Sequence, residues 1–232
     1  MSILAVIPAR ASSKRLPGKN SIKINGKSLF ERAIESAIGI EEISHILVST
    51  DDDELINQAK KYDVLIPWKR PPSLCEDFST SVEVVLHAVN WYEKKFNKVD
   101  GVILLQPTSP FRSNELIREG INLFYRNHFA PVVSVVAVNE HPMWCFKKSK
   151  TNHLEPFCEK NGFGIRSQDL PEVYIDAGSV YIISPDMLKK NRSFIGQKTV
   201  GLFVKHFWEA IDIDTEWDLE IAKLANAIYQ EN

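Results

Sequence analysis

The chain has 232 residues, 44% of them hydrophobic, with 28 Lys and Arg against 30 Asp and Glu for a formal net charge of −2. That length buries one substantial core and sits within the range in which an α/β chain stays a single domain, here 1–232. The near balance of charge excludes the general basic surface with which nucleic-acid binders neutralise phosphates. Cys75, Cys145 and Cys158 are too few and too scattered for a disulfide framework or a paired thiolate metal site, which implies a reducing cytoplasm. The first apolar run starts at Ile3, meets charge at Arg10 and lacks a leader pattern, so neither export nor membrane anchoring is expected.

Taken in chain order, short apolar runs at 3–9, 44–50, 99–105, 132–138, 179–183 and 208–214 read as buried strands. Helical periodicity lies between most of them, at 28–40, 52–61, 80–96, 113–127 and 215–230, with Ser113 and Thr215 at the N-cap positions. This alternation predicts an α/β fold, a doubly wound and mainly parallel sheet with helices on both faces. The stretch 139–178 breaks the pattern with His141-Pro142, several aromatics and Lys147, Lys148 and Lys150, and reads as an insertion that is functional or interface-forming. In doubly wound sheets the ligand crevice lies beyond the carboxyl ends of the strands, so the loops there are the place to look for chemistry.

Residues 1–30 carry six Lys or Arg and no Asp or Glu. Most fall in the loop Ile7-Pro8-Ala9-Arg10-Ala11-Ser12-Ser13-Lys14-Arg15-Leu16-Pro17-Gly18-Lys19-Asn20, where cations supply charge-assisted bonds to phosphoryl oxygens and small residues let backbone N–H groups approach. Both the Gly-x-x-x-x-Gly-Lys-Ser/Thr and the Gly-x-Gly-x-x-Gly patterns are missing, which argues against a kinase-type phosphate loop and a dehydrogenase. A solvated basic loop is the bland alternative; the position directly after a buried strand favours an anion site. Arg15 and Lys23 are expected to be solvated.

Three further loops stand out. Arg70-Pro71-Pro72-Ser73-Leu74-Cys75-Glu76-Asp77-Phe78-Ser79-Thr80-Ser81 is stiffened by its prolines and suited to walling a base pocket. Gln106-Pro107-Thr108-Ser109-Pro110 ends the central apolar run, and its amide can both donate to and accept from a polyol. In Asp212-Ile213-Asp214 a period of two puts both carboxylates on one face and Ile213 into the core, and paired hard oxygens suit Mg²⁺, with Mn²⁺ as the alternative. Thr215-Glu216-Trp217-Asp218 reads as a capping box, which makes Asp218 structural.

The first loop, the Gln-Pro-Thr-Ser-Pro stretch with Phe111-Arg112, and Ile211-Asp212-Ile213-Asp214-Thr215 together resemble the acylneuraminate cytidylyltransferase family, across nearly the whole chain. The resemblance implies transfer of CMP from CTP to the anomeric hydroxyl of an acidic nine-carbon sugar, with pyrophosphate released. It implies that Arg10 and Lys19 hold the triphosphate, helped by Ser13 and Lys14, and that Asn20, Arg70 and Ser81 contact the nucleoside. It places Gln106, Arg166 and Tyr181 on the sugar, the metal on Asp212 and Asp214, and a homodimer contact in the insertion. The first loop is also similar to cytidylyltransferases for an eight-carbon acid, and a non-catalytic nucleotide-binding module is the rival of another class. Where sialate-activating members can carry a lysine after the His-Pro pair, this chain has Met143-Trp144. Trp144, Phe146, Phe157, Phe163 and Ile175 are read as an apolar wall beside Arg166, favouring legionaminic acid, then pseudaminic acid, over N-acetylneuraminate.

Overall fold

The most deeply buried apolar runs, 3–9 and 101–104 among them, pair as strands because their residues are covered on both faces of the sheet. In the computed structural model, which describes residues 2–230, the order is β1 (Ile3–Ala9), β2 (Lys23–Ile24), β3 (Lys27–Ser28), α1 (Leu29–Glu35), β4 (Ile43–Thr50), α2 (Asp53–Ala59), α3 (Ser81–Lys95), β5 (Gly101–Leu104), α4 (Asn114–Arg126), β6 (Val132–Ala137), β7 (Phe146–Lys148), β8 (Leu154–Pro156), β9 (Tyr174–Ile183), α5 (Pro185–Asn191), β10 (Val200–Phe203) and α6 (Glu216–Gln230). The main sheet runs β10-β6-β9-β5-β1-β4, and β9 alone is antiparallel to its neighbours.

Alternate residues of β1 feed two cores on opposite faces of the sheet. Ile3, Ala5, Ile7 and Ala9 join Phe30, Ile34 and Leu116 on one side, while Leu4 and Val6 join Val85, Val89 and Tyr92 of α3 on the other. Helix starts follow their local signals. Ser28 with Glu31 and Thr80 with Glu83 form reciprocal capping boxes, and Ser113 accepts from the Leu116 N–H.

Two features depart from the pattern read in the sequence. The run 208–214 is not a strand: Phe207–Ala210 winds into a 3-10 turn and 211–214 continues extended, without a sheet partner. The edge strand is instead β10, whose four residues include Gly201 and carry too short an apolar signal to be read. The segment 139–173 departs from the main sheet as an arm with its own hairpin, β7 against β8, and β9 already begins at Tyr174.

A third, smaller cluster joins the loops that matter for chemistry. Leu16 of the basic loop, Ile24, Phe111, Ile213 and Leu219, Ala222 and Ala225 of α6 are buried together. Leu16 and Ile213 thus act as apolar anchors that pull the cation-rich loop and the Asp212-Asp214 segment to the same edge of the sheet.

Candidate active site

β4 lies on one side of β1 and β5 on the other, so the chain reverses its winding direction at β1, and the crevice opens at the carboxyl ends of these strands. The cleft there has a volume of about 530 Å³. Its walls include Arg10, Ser13, Lys14, Arg15, Lys19 and Asn20 from the first loop, Arg70, Asp77 and Ser81 from the second, Gln106 and Thr108 from the third, and Asp214. Nine of the residues given roles in the sequence, from Arg10, Ser13 and Lys14 to Gln106 and Asp214, therefore share one cavity.

The first loop is folded by its own polar groups. Gly18 takes φ +65°, which a glycine adopts without steric cost, and opens a short 3-10 turn over Lys19–Ser21. The buried Asn20 donates from Nδ2 to the Arg10 carbonyl at 3.0 Å, closing the loop on itself, and the Ala11 N–H donates to Asp51 Oδ1 at 2.8 Å. Lys19 Nζ, on a side chain only 13% exposed, sits 2.8 Å from Asp214 Oδ1. Arg15 is not free in solvent as its sequence context suggests, because it reaches the other oxygen of Asp214 at 2.6 Å. Opposite, Asp77 bridges Lys14 at 2.5 Å and Arg10 at 3.4 Å, and the hydrogen bond from Lys14 holds its carboxyl below the usual range. Neither Asp51 nor Asp77 was singled out in the sequence, since each becomes relevant only when a neighbouring loop folds against it.

Arg70 is buried rather than a surface ion-pair partner, and its guanidinium donates to the Ser49 carbonyl and, at 3.1 Å, to Ser49 Oγ. Burial lowers its pKa, so what charge it brings to the cleft is fixed in place by the end of β4. Ser81 is the first residue of α3 and lines the cleft, the cap being Thr80. Arg112 is buried behind the Gln106 loop. It donates to the Gln106 carbonyl at 2.8 Å, to the Ser179 carbonyl and to Ser36 Oγ at 3.4 Å, tying this loop to β9 and to the end of α1.

The two aspartates keep the alternation expected of a strand because 211–214 is extended: Ile213 is buried and donates its N–H to the Thr108 carbonyl at 2.8 Å. Asp212 has an open flank. The protein packed on its other side raises its pKa, a hydrogen bond from Thr108 opposes this, and the Asp214 charge adds to the rise. Asp218 accepts from the N–H groups of Asp214 and Thr215 and from Thr215 Oγ1, which is the structural capping role expected of it. Among the described residues no three His, Cys, Asp or Glu side chains cluster as a complete metal cage. A divalent cation that also takes oxygens from a triphosphate and water needs only one or two carboxylates, and the Asp212-Asp214 pair meets that requirement.

Tyr181 lies beside Asp212 on β9 but does not line the cleft. Arg166 sits on the arm, exposed, with Nε 2.8 Å from Asp169 Oδ2, and it does not line the cleft of its own chain. The same holds for Trp144, Phe146, Phe157, Phe163 and Ile175. Phe146 stacks on Phe163 with centroids 4.6 Å apart, and Trp144 Nε1 donates to the Gly162 carbonyl. His141 is a turn residue, accepting from the Met143 N–H and bonding the Pro171 carbonyl at 3.0 Å.

A switch-point cleft lined with cations and facing a polar loop and Asp214, with Asp212 outside its lining, is the arrangement of a nucleotidyltransferase of the Rossmann-like α/β class. The comparisons with known proteins are specific. Residues 4–223 match the family described as Cytidylyltransferase, and the chain belongs to that family. It is 34% identical over 240 aligned residues to a CMP-N,N'-diacetyllegionaminic acid synthase of Legionella pneumophila, covering 100% of this chain and 99% of that protein. It is 31% identical over 234 residues to a pseudaminic acid cytidylyltransferase of Campylobacter jejuni, with the same coverage. A CMP-2-keto-3-deoxy-manno-octonic acid synthetase complexed with CTP shares the fold, with a TM-score of 0.69 at 17% identity over 100% of both chains.

Proposed function

We propose that this protein transfers CMP from CTP to the anomeric hydroxyl of a nine-carbon 2-keto acid sugar and releases pyrophosphate. The observation that carries this reading is the meeting, in one cleft, of the basic first loop with Gln106 and Asp214. A non-catalytic nucleotide binder has no use for carboxylates set beside an anion, since they weaken binding unless chemistry requires them. The bond from the sugar oxygen to the α-phosphorus forms as the bond to pyrophosphate breaks. Arg10 and Lys19, with Ser13 and Lys14, stabilise the departing charge, and Asn20, Arg70 and Ser81 hold the nucleoside. Asp212 and Asp214 would hold a divalent cation, Mg²⁺ or Mn²⁺, whose contribution is to neutralise charge on the triphosphate. Gln106 and Tyr181 face the sugar.

The sugar we propose first is an N,N'-diacylated legionaminic acid and next pseudaminic acid, the molecules named in the two relatives above. N-acetylneuraminate is expected to be used less well, and an eight-carbon acid least. Purified protein given CTP, Mg²⁺ and each sugar in turn tests this by pyrophosphate release; turnover only with the eight-carbon acid would overturn it.

The arm supports a homodimer as the working form, with chain 1–232 as one catalytic unit. Phe146, Leu154 and Phe157 are 50%, 61% and 55% exposed on it, more apolar surface than an arm in water has reason to keep. Arg166 then serves the partner's sugar site. Among the described residues, no helix is long and apolar enough to cross a membrane.

A further inference from the structure

Tyr181 is in register with Leu104 of β5, two residues before Gln106. Gly178, at φ +72°, turns β9 so closely to the neighbouring loops that an added Cβ would lie 3.5 Å from Ser109 Oγ and 3.8 Å from Asp212 Cγ. The segment from Asp176 to Tyr181 therefore packs beside Ser109 and Asp212, next to the loop whose Gln106 and Thr108 line the cleft. Within it, Tyr181 donates its hydroxyl proton to Asp176 Oδ2 at 2.6 Å, and Asp176 Oδ1 accepts the Gly178 N–H at 2.9 Å.

We propose that Asp176 sets the hydrogen-bonding polarity of Tyr181, making the pair an acceptor-only reader of an N–H or O–H donor on the acceptor sugar. A phenol has one proton, and here it is committed to the carboxylate, so the Tyr181 oxygen can only accept. A phenol keeps its proton at neutral pH, so the polarity does not invert. An N-acylated nine-carbon acid offers hydroxyls and amide N–H groups. This deepens the sugar reading given above and rests on it.

Asp176 is a positioning residue in this scheme, which makes the isosteric amide informative. In Asp176→Asn the side-chain oxygen keeps the Gly178 N–H, and the new NH₂ faces the phenol. Tyr181 must then accept from the amide, and its own proton turns outward. The group that read a donor becomes a donor itself.

The test is steady-state kinetics of Tyr181→Phe, Asp176→Asn and the double variant, with CTP and either N,N'-diacetyllegionaminic acid or N-acetylneuraminate, alongside thermal melts. Each single variant is expected to raise the sugar KM about tenfold, the scale of one charge-supported hydrogen bond, with the CTP KM and the melting temperature in place. Adding Asp176→Asn to Tyr181→Phe costs little more, because the carboxylate acts through the hydroxyl. Loss confined to the diacetylated sugar assigns its second amide as the donor; loss with both assigns a group they share. An unchanged sugar KM in both single variants overturns the proposal, as does a parallel loss in both KM values and stability. Wild-type protein that turns over neither sugar refutes the sugar reading itself and takes the proposal with it, an outcome separate from active wild type with unaffected variants.

Discussion

Lys19 Nζ donates to Asp214 Oδ1 at 2.8 Å, and Arg15 closes on the other oxygen at 2.6 Å, so both oxygens of this carboxylate face cations, of which the sequence assigns Lys19 to an anion and Arg15 to solvent. The arrangement is an exchangeable one. In the proposed reaction a triphosphate entering the cleft would compete for Lys19 and Arg15, which would leave the Asp214 oxygens available to hold a divalent cation. Arg15 gives way more readily, since its side chain is 67% exposed against 13% for Lys19.

Replacing either aspartate by asparagine is expected to abolish turnover, with pyrophosphate release reduced at least about a hundredfold, because a neutral amide is a much poorer Mg²⁺ ligand. The two variants differ in stability. Asp212 has a folded pKa raised above its unfolded value, so its charged form opposes folding at neutral pH, and that cost disappears as pH falls through the raised pKa. Asp212→Asn should therefore melt slightly higher than wild type near pH 7, and the difference should vanish in acid; its open flank to water keeps the effect small. Near-normal turnover in both variants would remove the metal role, and a lower melting temperature for Asp212→Asn at neutral pH would contradict the burial argument.

Arg10→Ala should weaken transition-state stabilisation by about 2–4 kcal/mol, as for loss of one preorganised electrostatic donor. Its partner Asp77 has the opposite sign. Asp77→Asn frees Arg10 and Lys14 for the triphosphate and should tighten CTP binding at low salt, by no more than about fivefold because the pair is exposed, with the gain screened away at high salt. The ratio of kcat/KM values checks the first and calorimetric titration with CTP at two ionic strengths the second, and weaker CTP binding by Asp77→Asn would assign that carboxylate a direct part in the site.

The amino-acid pattern reveals the main sheet wherever strands are buried on both faces, as in β1, β4, β5 and β6. It misplaces the last strand for a physical reason: 211–214 alternates like a strand because it is extended against the Gln106 loop, and alternation reports an extended chain with one buried side, not its hydrogen-bond partners. The antiparallel direction of β9 is invisible for the same reason. In the site, groups that share a loop with an obvious motif were legible, including Lys19, Gln106 and the aspartate pair. Asp51, Asp77 and the buried Arg112 were not, because each works by reaching a loop distant in sequence.

Arg112→Met should destabilise the fold by about 3 kcal/mol, since the carbonyls of Gln106 and Ser179 lose a buried donor and an apolar side chain offers none in return. It should also loosen the Gln106 loop and raise the sugar KM more than the CTP KM. Urea unfolding and kinetics together check this. A variant as stable as wild type would mean that water or a neighbour replaces the guanidinium at no cost.

The dimer expectation has a sharper form than size alone. Arg166 is absent from the cleft of its own chain, yet it presents a planar fork suited to a carboxylate, and the arm that carries it exposes Phe146, Leu154 and Phe157. If two arms pair through these rings, Arg166 reaches the neighbour's sugar site. Light scattering at micromolar concentration should then give twice the chain mass, and Phe157→Asp should lower it towards a monomer. Arg166→Ala and Asp214→Asn, each inactive alone, should regain activity when mixed and allowed to exchange subunits. One site of the mixed dimer then has an intact Asp214 and receives an intact Arg166 across the interface, so about half the hybrid's sites are complete. Mixtures that exchange subunits but stay inactive would place Arg166 in its own chain's site, whereas an Arg166→Ala protein active by itself would place it outside the reaction.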